Sequence, residues 1–309
     1  MLLEVEEPGK RCKVNPAPRV VSLLPAATEI VAALGAGSWL VGISHECDWP
    51  PDVRSLPRVT RAAVDPSAPS ADIDRAVRAA GAAGTAVIAV DEDVLARLDP
   101  DVVIGQSTCD VCAVGEHELA RALSALRRRP RVVTLHAHDL AGVFADIQRV
   151  GDALDLSSDA EELVAGMRYR LRAVERNRPR TTHNAPRTLV LEWLDPPYVA
   201  GHWVPELVAI AGGVDVGNTP GARSVTRSWA ALRALAPDVT VVACCGFDVA
   251  RAHAAAAAVR DRDGRALLDG TVGRVAYLDG NAYTSRPGPR LADAAVRLAA
   301  LITPQDSGA

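Results

Sequence analysis

Apolar positions along the chain follow two alternating rhythms. Residues 19–24 (RVVSLL), 39–44, 101–105 (DVVIG) and 131–135 (RVVTL) are short, nearly continuous apolar runs, the form expected of strands covered on both faces. Residues 57–60 form a shorter one. Between them, residues 25–34, 72–83, 91–98 and 116–128 carry apolar side chains at helical intervals, as Ile73, Ala76, Val77 and Ala80 do in the second segment. Residues 65–71, rich in Pro, Ser and Ala, read as a loop. This alternation predicts a parallel sheet with helices on both faces.

The rhythm changes at residue 139. Residues 139–176 contain no strand signal and no proline, while Val143, Ile147, Val150 and Leu154 keep a helical spacing. The spacing predicts a helix of about 35 residues, with a candidate interruption at 156–158; at 1.5 Å per residue it would run about 50 Å and join two domains. After a polar, proline-bounded linker the alternation returns, with strands at 188–194, 238–243 and 272–278 and helices at 205–211, 229–235, 248–259 and 289–301. The expected organisation is a flexible tail at 1–18, an α/β lobe at 19–138, a spanning helix at 139–178, a linker at 179–186, a second α/β lobe at 187–303 and a tail at 304–309.

Composition narrows the partners. The chain has 309 residues, 49% of them hydrophobic, enough for two buried cores. A formal net charge of -4 offers no basic face for phosphates, so nucleic acid is not an expected partner. No apolar run reaches the roughly 18 residues of a membrane span. The first residues are acidic and proline-broken, without a basic segment leading into an apolar one, and we expect a cytoplasmic protein. Six cysteines (Cys12, Cys47, Cys109, Cys112, Cys244 and Cys245) lack the spacing of a disulfide-stapled domain and read as thiols or ligands in a reducing compartment.

Ligands of open parallel sheets bind beyond the carboxyl ends of the strands. The residues there are Pro25 and Ala26, then 45–49, 106–112 and 136–138 in the first half, and 193–198, 201–203, 244–247 and 281–286 in the second. These stretches hold five of the six cysteines and Trp49, Trp193 and Trp203, in a chain only 4% aromatic. Such a concentration points to a large flat or apolar ligand between two lobes, with His202, Phe247 and Tyr283 on the same edge. Cys109 and Cys112 have C-x-x-C spacing, and with His45 and Cys47 they form a candidate zinc or iron–sulfur ligand set. Inert buried thiols and a reversible disulfide are alternative readings of the same residues. Cys244 and Cys245 are adjacent, which sends one into the core and one toward the cleft. There is no G-x-S-x-G, no Walker loop and no complete set of acid, base and nucleophile, so an enzyme is not expected.

The stretch RVVSLLPAATEIVAALGAGSWLVGISHECDWPP resembles the opening of the cobalamin-type and iron-chelate-type substrate-binding proteins of ABC importers, the helical-backbone metal receptors. LEWLDPPYVAGHWVPELVAIAGG and GNAYTSRPGPRLADAAVRLAALI are similar to the start and close of that family's second lobe, and the likeness covers about residues 19–303. It implies two α/β lobes joined by one long helix, with the ligand in the cleft between them. It places Trp49 at the aromatic position of a D-[YW]-P loop, and Pro25, Ala26 and Thr28 in the first loop lining the cleft. The implied ligand is cobalamin or another corrinoid or metal chelate, and the implied partner is an ABC permease. The thiol-bearing segments HEC and QSTCDVCAV look specific to a leaderless, cytoplasmic branch of the family. A Cys- and His-ligated metal protein with a sensing, storage or redox role is the competing expectation.

Overall fold

The computed structural model describes residues 16–107, 114, 116–124, 126–178, 185–261, 263–268 and 272–303. Cys12, Cys109, Cys112 and His183 lie outside these residues.

The first lobe contains β1 (Val20–Ser22), α1 (Pro25–Ala33), β2 (Leu40–Gly42), β3 (Thr60–Ala62), α2 (Ser70–Ala83), β4 (Ile88–Val90), α3 (Glu92–Leu98), β5 (Val102–Gln106), α4 (Glu116–Ser124) and β6 (Arg131–Leu135). Four of its strands form a parallel sheet in the order β2-β1-β5-β6, while β3 and β4 pair separately and antiparallel. The continuous apolar runs have a direct structural meaning. Val20, Val102 and Ile104 enter one core, and Val21 and Val103 enter another on the opposite face, because successive side chains of a strand point to opposite sides. Pro25 opens α1, where its missing N–H costs no helical bond, and α3 is capped by the Asp91 carboxylate accepting from Val94 N.

The expected long helix, with its candidate interruption at 156–158, is broken just before that point into α5 (Leu140–Ala153) and α6 (Ser157–Asn177). The chain turns at Asp155, whose φ is +59°, and Gly151 lets the helices meet, since a Cβ there would lie 2.4 Å from that of Ala160. Arg168 on α6 stacks 4.9 Å from the ring centre of Phe144 on α5. Contact between residues this far on either side of the turn requires the helices to run back along each other as a hairpin. The crossing between lobes is therefore made by α6, about 31 Å long at 1.5 Å per residue. Its far side packs on the second lobe, where Arg170 pairs with Asp293.

The second lobe contains β7 (Arg187–Leu194), β8 (Pro197–Val199), α7 (Val204–Ile210), β9 (Val214–Asp215), β10 (Val225–Thr226), α8 (Trp229–Ala234), β11 (Val239–Val242), α9 (Val249–Ala258), β12 (Arg274–Tyr277), α10 (Gly280–Tyr283) and α11 (Leu291–Ile302). Its path is β10-β8-β7-β11-β12, with β9 also on β7. Strands β7, β11 and β12 are parallel, as expected, but β8 and β10 add an antiparallel flank. Their two and three residues are too few to show any period in the sequence. One hydrophobic cluster runs from Val20 and Ile104 through Ile147 and Leu171 to Val190 and Leu298, so the lobes share a core along the helical side.

Candidate functional site

Segments following β1, β2 and β6 of the first lobe meet segments following β8 and β12 of the second across a seam, through Glu29, Asp48 and His138 on one side and His202, Asn281 and Arg286 on the other. At its centre is Arg286, between α10 and α11 and only 4% exposed. Its Nη1 donates to Glu29 Oε1 at 2.8 Å and to Asp48 Oδ1 at 2.6 Å, both in the first lobe. Its Nη2 donates to Asn281 Oδ1 at 2.8 Å and to the Glu46 carbonyl at 3.4 Å, while Asn281 Nδ2 donates to Asp48 Oδ2 at 3.1 Å. Arg290, four residues on at the start of α11, lies 3.5 Å from Glu29 Oε1.

Burial pushes the Glu29 carboxyl above its usual value, and Arg286 and Arg290 only partly reverse this. Burial also opposes ionisation of Asp48, but hydrogen bonding and charge from Arg286, with help from Asn281 and Arg54, hold it below the ordinary range. A buried ion pair need not add net stability, yet leaving one member unpaired typically costs about 3–5 kcal/mol. Glu29 and Arg286, both buried, therefore depend on each other, whereas Asp48 is exposed enough to be hydrated. Sequence reading did not single out Glu29, Asn281, Arg286 or Arg290. The available signal was a lone carboxylate on the buried face of PAATEIVAA, which demands a cationic partner somewhere in the fold.

The expected site residues take several positions. Trp49 is 45% exposed, with the Arg290 guanidinium 4.9 Å from its ring centre. Tyr283 is flanked by Arg290 at 4.9 Å and Arg297 at 4.3 Å. Trp193 packs 5.2 Å from Phe247, which is buried and capped by Arg251 at 3.7 Å. Arg251 in turn hydrogen-bonds the carbonyls of Pro66 and Ala68 in the first lobe. Pro25 is partly buried, whereas Ala26 and Thr28 are fully buried beneath the loop. Trp203 is also buried, donating from Nε1 to Thr284 O at 2.9 Å. The His202 ring stacks on His138 at 5.7 Å and is tilted against Trp203 at 5.5 Å, with Nε2 buried and unpartnered.

The metal reading finds no support. His45 Nδ1 is 2.7 Å from Thr60 Oγ1, while the Cys47 thiol is buried 3.0 Å from Thr28 Oγ1, so the two side chains serve different neighbours instead of converging. Burial pushes the Cys47 thiol up to about 11, the opposite of what a thiolate ligand requires. Among the described residues no group of three or more His, Cys, Asp or Glu side chains is set to hold a metal ion; Cys109 and Cys112 lie outside them. No helix among the described residues is long and apolar enough to cross a membrane.

Comparison with known proteins agrees with this architecture. A stretch of 52 residues is 46% identical to the vitamin B12-binding protein of Vibrio cholerae, spanning 17% of this chain and 19% of that relative. The periplasmic heme-binding protein RhuT from Roseiflexus sp. RS-1 superimposes with a TM-score of 0.67 at 24% identity, covering 93% of this chain and 98% of its own. The periplasmic vitamin B12-binding protein BtuF of Vibrio cholerae gives 0.64 at 20% identity, over 93% and 97% of the two chains. At these identities the likeness establishes the two-lobed fold. The periplasmic binding protein family model matches residues 20–266, from β1 of the first lobe well into the second, and the chain belongs to that family of solute-binding proteins, which are not enzymes.

Proposed function

We propose that the protein binds a corrinoid or closely related metal chelate in the cleft between its lobes, without chemical change to the ligand. The observation that carries this reading is Trp49. A large indole stands 45% exposed at the seam, on a loop that follows a first-lobe strand and is bonded to the second lobe. An exposed, fixed aromatic face suits a flat macrocycle. The local similarity to a vitamin B12-binding protein points the same way.

Four guanidinium groups beside the seam are already engaged within the protein, while Arg290, on the Trp49 ring and 3.5 Å from Glu29, is less fully matched. Arg286 is saturated by Glu29, Asp48 and Asn281, Arg251 by two carbonyls and the Phe247 ring, Arg58 by the carbonyls of Ser44 and Cys47, and Arg78 by Asp74. Guanidinium groups already matched within the protein give little to a propionate, whereas the amide fringe of a corrinoid needs no counter-charge. Titration of the purified protein with hydroxocobalamin and with haemin, followed by visible absorbance and calorimetry, tests this. Saturable cobalamin binding tighter than haemin is expected. No cobalamin binding at high micromolar concentration rejects the reading, and tighter haemin binding replaces the corrinoid with a porphyrin.

Hand-over to an ABC permease belongs to the same proposal, and co-purification with a membrane fraction tests it. A cytoplasmic setting is a separate proposal, tested by cell fractionation.

A further inference from the structure

We propose that Arg286 is a positioning residue: reaching across from the second lobe, it holds the Trp49-bearing loop of the first. Four carbonyls of that loop are taken by guanidinium groups, one of them Asp48 O, which accepts from Arg54 Nε of the first lobe at 2.9 Å. Arg58, from the first lobe, donates to Ser44 O at 2.8 Å and Cys47 O at 2.5 Å, and Arg286 donates to Glu46 O at 3.4 Å. Asp48, next to the tryptophan, is gripped on both oxygens from the second lobe, by Arg286 and by Asn281. Arg290 then covers the indole and is itself drawn toward Glu29. The loop is thus held from both lobes, by Arg54 and Arg58 in the first and by Arg286 with Asn281 in the second.

Arg286 is suited to this and not to contact with a ligand. It is 4% exposed, and both terminal nitrogens are occupied by protein acceptors. A planar fork can satisfy four acceptors at fixed angles, which the point charge of a lysine cannot reproduce. An aromatic wall fixed before the ligand arrives saves the ordering cost on binding. The consequence for affinity rests on the corrinoid reading above; the positioning itself does not.

The test is hydrogen exchange by mass spectrometry on the full chain, comparing wild type with Arg286→Lys and Asp48→Ala. The second variant leaves the buried Glu29–Arg286 pair in place and guards against misfolding. Peptides spanning residues 44–51 are expected to exchange about tenfold faster in both variants, while those of β5 and β6 keep their wild-type rates. A general loss of stability would accelerate every segment together. Unchanged protection of the loop in folded Asp48→Ala, or acceleration spread evenly over the chain, overturns the proposal. Cobalamin affinity is read in parallel, with a loss of about tenfold expected, mainly in the dissociation rate. If wild type binds no cobalamin while the loop loosens as described, the ligand reading fails and the positioning role stands.

Discussion

The imidazoles of His138 and His202 are stacked across the seam, their ring centres 5.7 Å apart and their planes 23° from parallel. Burial first, then the charges of His138 and Arg223, hold His202 below its ordinary value of 6.5. A depressed folded value means that the unfolded chain takes up the proton first as pH falls. The contribution of His202 to stability is therefore present above 6.5 and lost as pH drops through its folded value. His202 has φ +55°, which Asn tolerates, so His202→Asn should fold and should lose less stability than wild type between pH 7.5 and 5.5. Urea unfolding at the two pH values measures this, and parallel slopes would contradict it.

Asp215 titrates in the opposite sense. Its Oδ1 accepts from Gly217 N and Asn218 N, its Oδ2 is buried without a partner, and burial pushes the carboxyl from 3.8 to about 6. A raised folded value gives stability that is full below 3.8 and lost as pH rises through about 6. Asp215→Asn should remove that slope, worth up to about 3 kcal/mol over the window. The difference between variant and wild-type unfolding free energies at pH 4.5 and 7.5 isolates it from the histidines.

Gly280 opens α10, the short helix that carries Asn281 into the seam. A Cβ there would lie 2.2 Å from the carbonyl oxygen of Cys244, at the end of β11. Backbone cannot yield as a side-chain tip does, so Gly280→Ala should destabilise the protein by about 2 kcal/mol or more, seen as a lower urea midpoint. A neutral result would mean that α10 can shift away from the sheet.

Cys47, with its thiol at about 11 and 1% exposure, should resist alkylation by iodoacetamide at pH 8 in the native state and react only after unfolding. Mass spectrometry of labelled protein decides this. Cys47→Ser keeps a hydrogen-bonding partner for Thr28 and should cost about 1 kcal/mol without changing metal content. Rapid native labelling would restore Cys47 as a reactive or ligating thiol.

Much of the scaffold was legible because its elements are locally determined. The apolar runs at 19–24, 101–105 and 131–135 became β1, β5 and β6, and the helical spacing at 25–34 and 289–301 became α1 and α11. Elements that depend on distant contacts were not legible. The candidate interruption at 156–158 falls where α6 begins, but the spacing of Val143, Ile147, Val150 and Leu154 gives no sign that the two helices fold back as a hairpin, which the fit of Gly151 against Ala160 permits. Trp49 could be placed on a loop after a strand, but Arg286, 238 positions from Asp48, follows no motif that names its partners. His45 and Cys47 looked paired because they are close in sequence, and Thr60 and Thr28 draw them apart.

The reach of Arg286 also orders events on the ribosome. All the first-lobe strands are synthesised before α6, and domains tend to fold from the N-terminus as they emerge. Yet Glu29 and Asp48 must wait for a guanidinium encoded 257 and 238 positions later. Until it arrives, the nascent first lobe holds two carboxylates whose cation has not been made. The finished seam thus forms only after the second lobe has followed the first.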